Sequence, residues 1–484
     1  MRLSQLFPDW QGADVTLASI EIDSRRVTGG GLFLALPGLH SDGRDFIHAA
    51  AEAGAVAIAY EAADGFPPPA LSIPCVPVAG LAGRLSTLAD IFHGSPSHKL
   101  GLIGVTGTNG KTSVTQMLAQ ALDALGKPCG VIGTLGSGMI GSLNDHGMTT
   151  PDALRVQEQL AALRAQGAAW VAMEVSSHAL DQDRVAAVDF NLGVFTNLSR
   201  DHLDYHGDMQ RYGEAKARLF AMPLRTAVIN ADDAFGRKLS GGCSMQVIDY
   251  SVGDTQAALH CSDVAFDSRG IHATVHFGSE QARLDSALLG TFNLSNLLAV
   301  IGSLLALDVA LERAVALVGR VVPPAGRMQR IGGEAAPLVV IDYAHTPDAL
   351  QKALDALRAH VHGRLTCVFG CGGDRDTGKR PLMAQIAEQG ADQVVVTDDN
   401  PRTEPSARII EHILQGFAQP QRARVIPDRA AAIRDTITAA NAGDVILLAG
   451  KGHETYQEIN GVRHPFNDLE QARQALTTWE VSHA

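Results

Sequence analysis

The sequence contains no apolar run long enough to span a bilayer, and its first segment, Met1 to Trp10, lacks the apolar centre of a secretory signal. The expectation is a soluble, cytoplasmic protein without membrane insertion. Paired cysteines are also missing. Cys75, Cys129, Cys243, Cys261, Cys367 and Cys371 are scattered without metal-type spacing, which argues against a zinc module and for reduced, mostly buried thiols. An excess of positive charge is absent too: 39 basic against 52 acidic residues leave a net charge of −13. That balance speaks against a general nucleic-acid binder, while a local basic pocket for a small anionic substrate remains compatible with it. No internal repeat or low-complexity tract breaks the 484 residues. At about 150 residues per domain, that length predicts roughly three domains.

What is present is a phosphate-cradling loop, Gly107-Thr108-Asn109-Gly110-Lys111-Thr112-Ser113. Before it, Leu102-Ile103-Gly104-Val105 reads as a strand, and after it Val114, Met117, Leu118, Ala121, Leu122 and Leu125 recur at helical spacing. A loop that opens a helix offers backbone N–H groups and the positive end of a dipole to phosphate. Lys111 adds a point charge, and the Thr112 hydroxyl suits a magnesium ion. The usual pattern has a glycine five residues before Gly110, where this chain has Val105, so the loop is a variant. It implies a nucleoside triphosphate.

Short strand-like runs such as 32–36 and 55–59, each followed by Gly, Pro or Asp, mark residues 1–95 as a small α/β domain. Gly94-Ser95-Pro96-Ser97 reads as a linker into a central domain, 96–327, with a mainly parallel sheet, and Val321-Val322-Pro323-Pro324-Ala325-Gly326-Arg327 leads into a third, Rossmann-like α/β domain, 328–484. In that third part four apolar strand-type runs end in polar clusters: Asp342-Tyr343-Ala344-His345, Gly370-Cys371-Gly372-Gly373-Asp374-Arg375, Asp398-Asp399-Asn400-Pro401-Arg402 and Gly450-Lys451-Gly452-His453-Glu454. Ligands of parallel α/β sheets sit at such carboxyl ends.

Three constellations carry candidate chemistry, each with a plainer alternative. Glu174 ends the strand-type run Trp170 to Met173, where P-loop enzymes place an acid for magnesium, though strand-end glutamates are also common on surfaces. Thr196 to His206 is dense in groups that bind metal or phosphate, and equally in turn and cap residues. Lys216 falls at the edge of the apolar face formed by Tyr212, Ala215 and Leu219, the position of a snorkelling lysine. If it were partly desolvated, its neutral amine would be able to take up carbon dioxide as a carbamate and become an anionic metal ligand. Arg327, Arg375 and Arg402 are either surface ion-pair partners or bidentate anchors for an anionic group, and their Gly- or Pro-flanked positions favour the second. His345 and His453 fit structural and functional roles alike.

Taken together, these residues resemble the Mur ligase family of peptidoglycan synthesis across nearly the whole chain. Residues 107–113, Asn293 with Asn296, Gly326-Arg327 and Asp342-Tyr343-Ala344-His345 look like its ATP-site motifs. Thr149-Thr150-Pro151, Glu174-Val175-Ser176-Ser177-His178, Tyr212-Gly213-Glu214-Ala215-Lys216, Gly372-Gly373-Asp374-Arg375 and Asp399-Asn400-Pro401-Arg402 resemble the MurE branch. Members of that branch add meso-diaminopimelate or L-lysine to UDP-N-acetylmuramoyl-L-alanyl-D-glutamate. The resemblance implies ATP as co-substrate, held by Gly107, Thr108, Asn109, Gly110, Lys111, Thr112, Ser113, Asn293, Asn296, Arg327, Asp342 and His345. It also implies Mg2+ near Thr112, Glu174, His202 and Lys216, the last as a carbon dioxide-derived carbamate, with Lys111, Lys216 and His202 as catalytic groups. Ile22, Ser24, Leu39, His40, Ser41, Thr149, Thr150, Ser176, Gln182 and Arg184 would hold the UDP-sugar peptide. Arg375, Asp399, Asn400, Pro401, Arg402, Gly450 and Glu454 would hold diaminopimelate.

The distal carboxylate that distinguishes diaminopimelate from lysine suits Arg375 or Arg402, and Glu454 suits the distal ammonium. The resemblance further implies a monomer, and closure of the third domain over the second to bring amine and carbonyl together. The alternatives are a lysine-adding or other Mur-type ligase, a folylpolyglutamate synthase, a nucleotide-dependent switch, or a small-molecule kinase.

Overall fold

The central strands of the parallel sheets are apolar on both sides, the pattern of strands covered by helices on two faces. In β2 (Gly31–Ala35), Leu32 and Leu34 enter one core while Phe33 and Ala35 enter another, and Ala57 and Ala59 against Ile58 and Tyr60 repeat the division in β3 (Ala55–Glu61). The structure, a computed structural model, describes residues 1–38, 41–62, 65–267, 269–333, 335–361 and 363–483. They form two compact units, Met1–Ile248 and Asp249–Ala484.

The first unit begins with a four-stranded sheet in which β1 (Ser19–Glu21), β2, β3 and β4 (Cys75–Val78) pair in parallel and in sequence order. The predicted linker is packed rather than loose: Ser95 Oγ donates to Asp90 at 2.8 Å and Ser97 is buried. A second sheet follows, built from β5 (Gly101–Thr106), β6 (Cys129–Gly133), β7 (Gly136–Met139), β8 (Ser142–Asn144), β9 (Trp170–Glu174), β10 (Leu192–Phe195) and β11 (Thr226–Asn230). Its order is β11-β10-β5-β9-β6-β7-β8, parallel from β11 to β6, with β7 and β8 added antiparallel. Because β10, β5, β9 and β6 are neighbours running the same way, their four carboxyl ends open onto one place.

The second unit opens with the last residues of β12 (Gln246–Ser251), of which Tyr250 and Ser251 pair with β13 (Leu259–Asp267), which leads an antiparallel meander through β14 (Gly270–Phe277) and β15 (Glu280–Ser286). Beyond it lies a six-stranded sheet of β16 (Gln329–Gly332), β17 (Leu338–Asp342), β18 (Leu365–Phe369), β19 (Gln393–Val396), β20 (Ala423–Val425) and β21 (Val445–Ala449). Its order is β16-β17-β21-β18-β19-β20, parallel except for β16. Val340, Cys367 and Leu447 face one core; Val339, Val368 and Ile446 face the other. The doubly wound, Rossmann-like arrangement expected for this region is present. No helix among the described residues is long and apolar enough to cross a membrane.

Candidate active site

The phosphate loop leaves β5 and enters the helix Lys111–Ala124, whose N-cap Gly110 is left-handed at φ 87°. Gly107, at φ 147°, passes so close to β10 that a Cβ there would lie 1.9 Å from Thr196 Oγ1. That hydroxyl donates to Asn109 O at 2.6 Å, and Asn197 Oδ1 accepts from Asn109 N at 3.1 Å. Ser199 N and the Tyr212 hydroxyl both meet Thr108 Oγ1, at 3.0 and 3.2 Å. The polar stretch after β10 is therefore a brace for the loop. Lys111 Nζ turns onto the carbonyls of Gly107 and Thr108, each at 2.9 Å.

At the end of β9, Glu174 is buried and gathers three donors from two threonines. Thr112 Oγ1 reaches its Oε2 at 3.0 Å, Thr134 Oγ1 the same oxygen at 3.1 Å, and Thr134 N its Oε1 at 2.8 Å. Burial raises the pKa of this carboxyl, while Lys111 and the threonine donors pull it back. Thr149 Oγ1 lies 3.0 Å from Thr134 Oγ1, and Thr150 Oγ1 donates to Glu174 O and accepts from Ser176 N. Arg184 donates to Thr150 O at 2.8 Å and to Gln182 Oε1, and Gln182 in turn donates to the Tyr205 hydroxyl. The structure thus brings Thr149, Thr150, Ser176, Gln182 and Arg184 into one connected edge beside Glu174. Ile22 and Ser24 follow β1, Ser41 is exposed beyond β2, and Leu39 and His40 lie outside the described residues.

Lys216 is not at the rim of its helix, Met209–Ala221, but is 1 % exposed. The segment after β10 and the phosphate loop cover the flank that helical periodicity alone leaves open. Its Nζ donates to Gly107 O at 2.8 Å and lies 4.4 Å from the centre of the Tyr212 ring. Burial, reinforced by the Lys111 charge, pushes its pKa down to about 6, so the amine is mainly neutral at pH 7. His202 is left-handed at φ 52° and about half exposed, with its ring 4.9 Å from His178 and 6.1 Å from Tyr212. Among the described residues no cluster of three His, Cys, Asp or Glu side chains could hold a metal unaided. The Thr112–Glu174 pair nevertheless fits magnesium. The ion takes one or two hard protein oxygens, completing its shell with phosphate oxygens and water.

In the second unit, Asn293 and Asn296 sit buried at the start of the helix Thr291–Leu305, linked Asn296 Nδ2 to Asn293 Oδ1 at 3.2 Å. Asp342, ending β17, accepts from Met328 N at 2.8 Å, and burial raises its pKa. The Arg327 guanidinium lies 5.0 Å over the Tyr343 ring, with its Nε buried and without a hydrogen-bond partner. His345 Nδ1 donates to Tyr343 O at 2.8 Å, and burial lowers its pKa.

The ends of β18, β19 and β21 are laced together. Gly373 N donates to Asn400 O at 2.9 Å, Arg402 Nη1 to Gly373 O at 2.8 Å, and Thr403 Oγ1 to Asp374 Oδ2 at 2.8 Å. Arg402, at φ 53°, also donates its backbone N–H to Glu458 O. Arg375 is exposed and Pro401 buried. Asn400 Nδ2 donates to Glu454 Oε2 at 2.8 Å; Asp399 and Gly450 lie beside this contact, after β19 and β21, the two strands that flank β18. Three cations overlooked by motif reasoning organise the site. Lys451 has no exposed surface and contacts Asn400 and Glu454. Arg380 holds Glu404 bidentately and Gly372 O; Arg429 holds Asp468 bidentately and Ala449 O. Lys451 is legible as part of a strand-end cluster, but nothing in the local sequence marks the two arginines.

Family profiles match three stretches of the chain: "Mur ligase family, catalytic domain" at residues 16–93, "Mur ligase middle domain" at 105–304, and "Mur ligase, glutamate ligase domain" at 326–452. Similarity to individual proteins runs end to end. The UDP-N-acetylmuramoyl-L-alanyl-D-glutamate--2,6-diaminopimelate ligase of Ectopseudomonas mendocina is 56% identical over 100% of both chains, and the ligase of the same name from Pseudomonas aeruginosa is also 56% identical, with equal coverage. The chain belongs to the Mur ligase family, in its MurE branch. A solved structure of a UDP-N-acetylmuramoyl-L-alanyl-D-glutamate--2,6-diaminopimelate ligase has a TM-score of 0.78 at 36% identity, covering 100% of this chain and 99% of that one. A folylpolyglutamate synthase of Mycobacterium tuberculosis, at TM-score 0.60 and 20% identity over 76% of this chain and 92% of its own, shares the fold alone. The three-domain α/β architecture is thus that of a Mur ligase, and the P-loop irregularity at Val105 occurs in a Mur ligase chain.

Proposed function

We propose that this Mur ligase joins meso-diaminopimelate to UDP-N-acetylmuramoyl-L-alanyl-D-glutamate at the expense of ATP, forming the UDP-N-acetylmuramoyl tripeptide of peptidoglycan. It acts as a cytoplasmic monomer with functional domains at 1–95, 96–327 and 328–484, a division supported by the three profile matches. The observation that carries the reading is the laced pair of loops after β18 and β19. They combine a conformationally fixed Arg402 with Asn400, which holds Glu454 of the loop after β21, in a chain 56% identical to diaminopimelate ligases. An amino acid with a distal carboxylate and a distal ammonium matches that set. L-lysine lacks that carboxylate and would leave the arginine without an anionic partner, a mismatch by which a site built around a charged group discriminates.

Lys111 and the loop N–H groups of the first unit bind the triphosphate; Asn293, Asn296, Arg327 with its unpartnered Nε, Asp342 and His345 of the second unit are assigned to ATP by the family resemblance. The D-glutamate γ-carboxylate attacks the γ-phosphorus, ADP departs, and an acyl phosphate results. The diaminopimelate amine attacks the acyl carbon, loses a proton, and the tetrahedral adduct collapses to the amide with release of phosphate. Thr112 and Glu174, with His202 and carbamylated Lys216, are the groups that would hold magnesium, which supplies positive charge against the phosphate oxygens. Ile22, Ser24, Leu39, His40 and Ser41, with Thr149, Thr150, Ser176, Gln182 and Arg184, hold the UDP-sugar peptide.

The test is phosphate release and product mass with ATP, the UDP-muramoyl dipeptide and either meso-diaminopimelate or L-lysine. Acceptor-dependent phosphate release and a new amide are expected with the first. Efficient use of lysine alone, or nucleotide hydrolysis independent of acceptor, would overturn the reading.

A further inference from the structure

Lys451 follows β21 and has no exposed surface, yet it carries an ammonium group at the carboxyl ends of three strands. Its Nζ donates to Asn400 Oδ1 at 3.0 Å and to Glu454 Oε2 at 3.1 Å, and forms an ion pair with Asp399 Oδ1 at 3.5 Å that is not a hydrogen bond. The Tyr456 ring lies 5.8 Å from it. Surrounded by these three groups and with no surface exposed, Lys451 is not placed to touch an amino-acid substrate. Its consequences run through its partners.

The first of these is the orientation of Asn400. Oδ1 receives both the Lys451 ammonium and the Glu458 backbone N–H, at 3.0 Å each, and neither of those groups can accept a hydrogen bond. The amide cannot flip, so Nδ2 must face Glu454 Oε2, which it meets at 2.8 Å. Glu454 Oε2 therefore takes two donors, from Asn400 and Lys451, while Oε1 is not engaged by either. The side chains proposed to read the amino acid are thus each held in one orientation by a single buried cation.

Charge points the same way. Asp399 is buried, and burial drives its carboxyl pKa upward against the pull of Lys451 and Arg429. Lys451 is the cation that faces both Asp399 and Glu454, and its removal would leave two acidic groups beside Asn400 without it.

We infer that Lys451 is a positioning residue for the amino-acid substrate, fixing Asn400 and Glu454 for a distal ammonium without contacting it. The inference rests on the diaminopimelate reading above. Its test is the steady-state kinetics of full-length Lys451→Met and Lys451→Gln, the first keeping the length without charge and the second keeping a donor. Expected for Lys451→Met is a KM for meso-diaminopimelate raised at least ~30-fold, the loss of a charge-assisted contact on each of two reading groups. The KM values for ATP and for the UDP-sugar peptide should stay within about twofold, as neither group reads them. Lys451→Gln should recover part of the loss, and it alone decides the matter if the methionine variant does not fold. Equal rises in all three KM values, or an unchanged KM for meso-diaminopimelate in the folded variant, would overturn the role of Lys451. A wild-type enzyme that ignores meso-diaminopimelate would instead overturn the functional reading on which it rests.

Discussion

Replacing Lys216 by methionine should make the protein more stable and catalytically dead, and the pH dependence of the gain can be worked out from the structure. An ordinary lysine titrates at 10.5, whereas buried Lys216 is pushed down to about 6. Between those values the unfolded chain holds a proton that the folded chain has shed. The stability of the wild type therefore rises with pH by about 1.4 kcal/mol per unit. Below pH 6 the penalty is at its full size, and as pH approaches 10.5 it vanishes. At pH 7.5, three units below the ordinary value, it is about 4 kcal/mol. Methionine escapes this penalty and still covers the Tyr212 ring, but it forfeits the hydrogen bond to Gly107 O, a loss of about 1 kcal/mol.

The net gain for Lys216→Met is then about 3 kcal/mol at pH 7.5, shrinking to about 1 kcal/mol near pH 9. The assay is thermal or denaturant unfolding of the nucleotide-free protein in carbon dioxide-depleted buffer at pH 6.5, 7.5 and 9, alongside phosphate release. Parallel stability curves for variant and wild type would show that the folded lysine is charged, and the argument would fail. The functional half has its own logic. At pH 7.5 an amine with a pKa of about 6 is ~97% neutral, against ~0.1% for an ordinary lysine, so attack on carbon dioxide is open to it. The Lys111 charge that disfavours an ammonium here favours the carbamate anion. Activity lost in carbon dioxide-free buffer and regained with bicarbonate is the expected signature, and full activity of Lys216→Met would refute it.

Other expectations follow from the same geometry. Glu174→Gln keeps an acceptor for Thr134 N but removes the charge, and should lower magnesium-dependent phosphate release at least ~100-fold, with the UDP-sugar peptide still binding by calorimetry. Arg402→Met should raise the KM for meso-diaminopimelate by roughly 10- to 100-fold, the value of a hydrogen bond to a charged group, and narrow its advantage over L-lysine; an unchanged ratio would place the distal carboxylate elsewhere. Arg429→Met leaves Asp468 buried and unpaired and should cost about 3–5 kcal/mol in denaturant unfolding. Glu404, held by Arg380 down to about 2, contributes stability that is complete above the ordinary carboxylate range and lost as pH falls through about 2; Glu404→Gln should flatten that limb of an acid titration.

The local sequence determines a good deal of this protein. Strand runs, helix starts and the phosphate loop follow from apolar periodicity and from glycines at positive φ, both of which are properties of a few neighbouring residues. Polar clusters after β17, β18, β19 and β21 are legible for the same reason, because a strand that stops being apolar has reached the end of the core. Glu174, Arg402 and Glu454 are candidates that this reasoning raises.

What the sequence leaves open is which of these ends meet, since that depends on strand order. Only the neighbouring of β10, β5, β9 and β6 sets Thr196, Gly107, Glu174 and Thr134 together, and only the order β21-β18-β19 brings Glu454 to Asn400. Lys216 shows the difference most clearly. Helical spacing put it at the border of an apolar face, a place from which a lysine normally reaches water. The phosphate loop after β5, with Gly107 lying 109 residues earlier in the chain, closes over that border and removes the water. A side chain's pKa depends on the solvent and charges around it, which tertiary packing supplies, so the chemistry proposed for this lysine was decided by the folded structure and not by its own stretch of sequence.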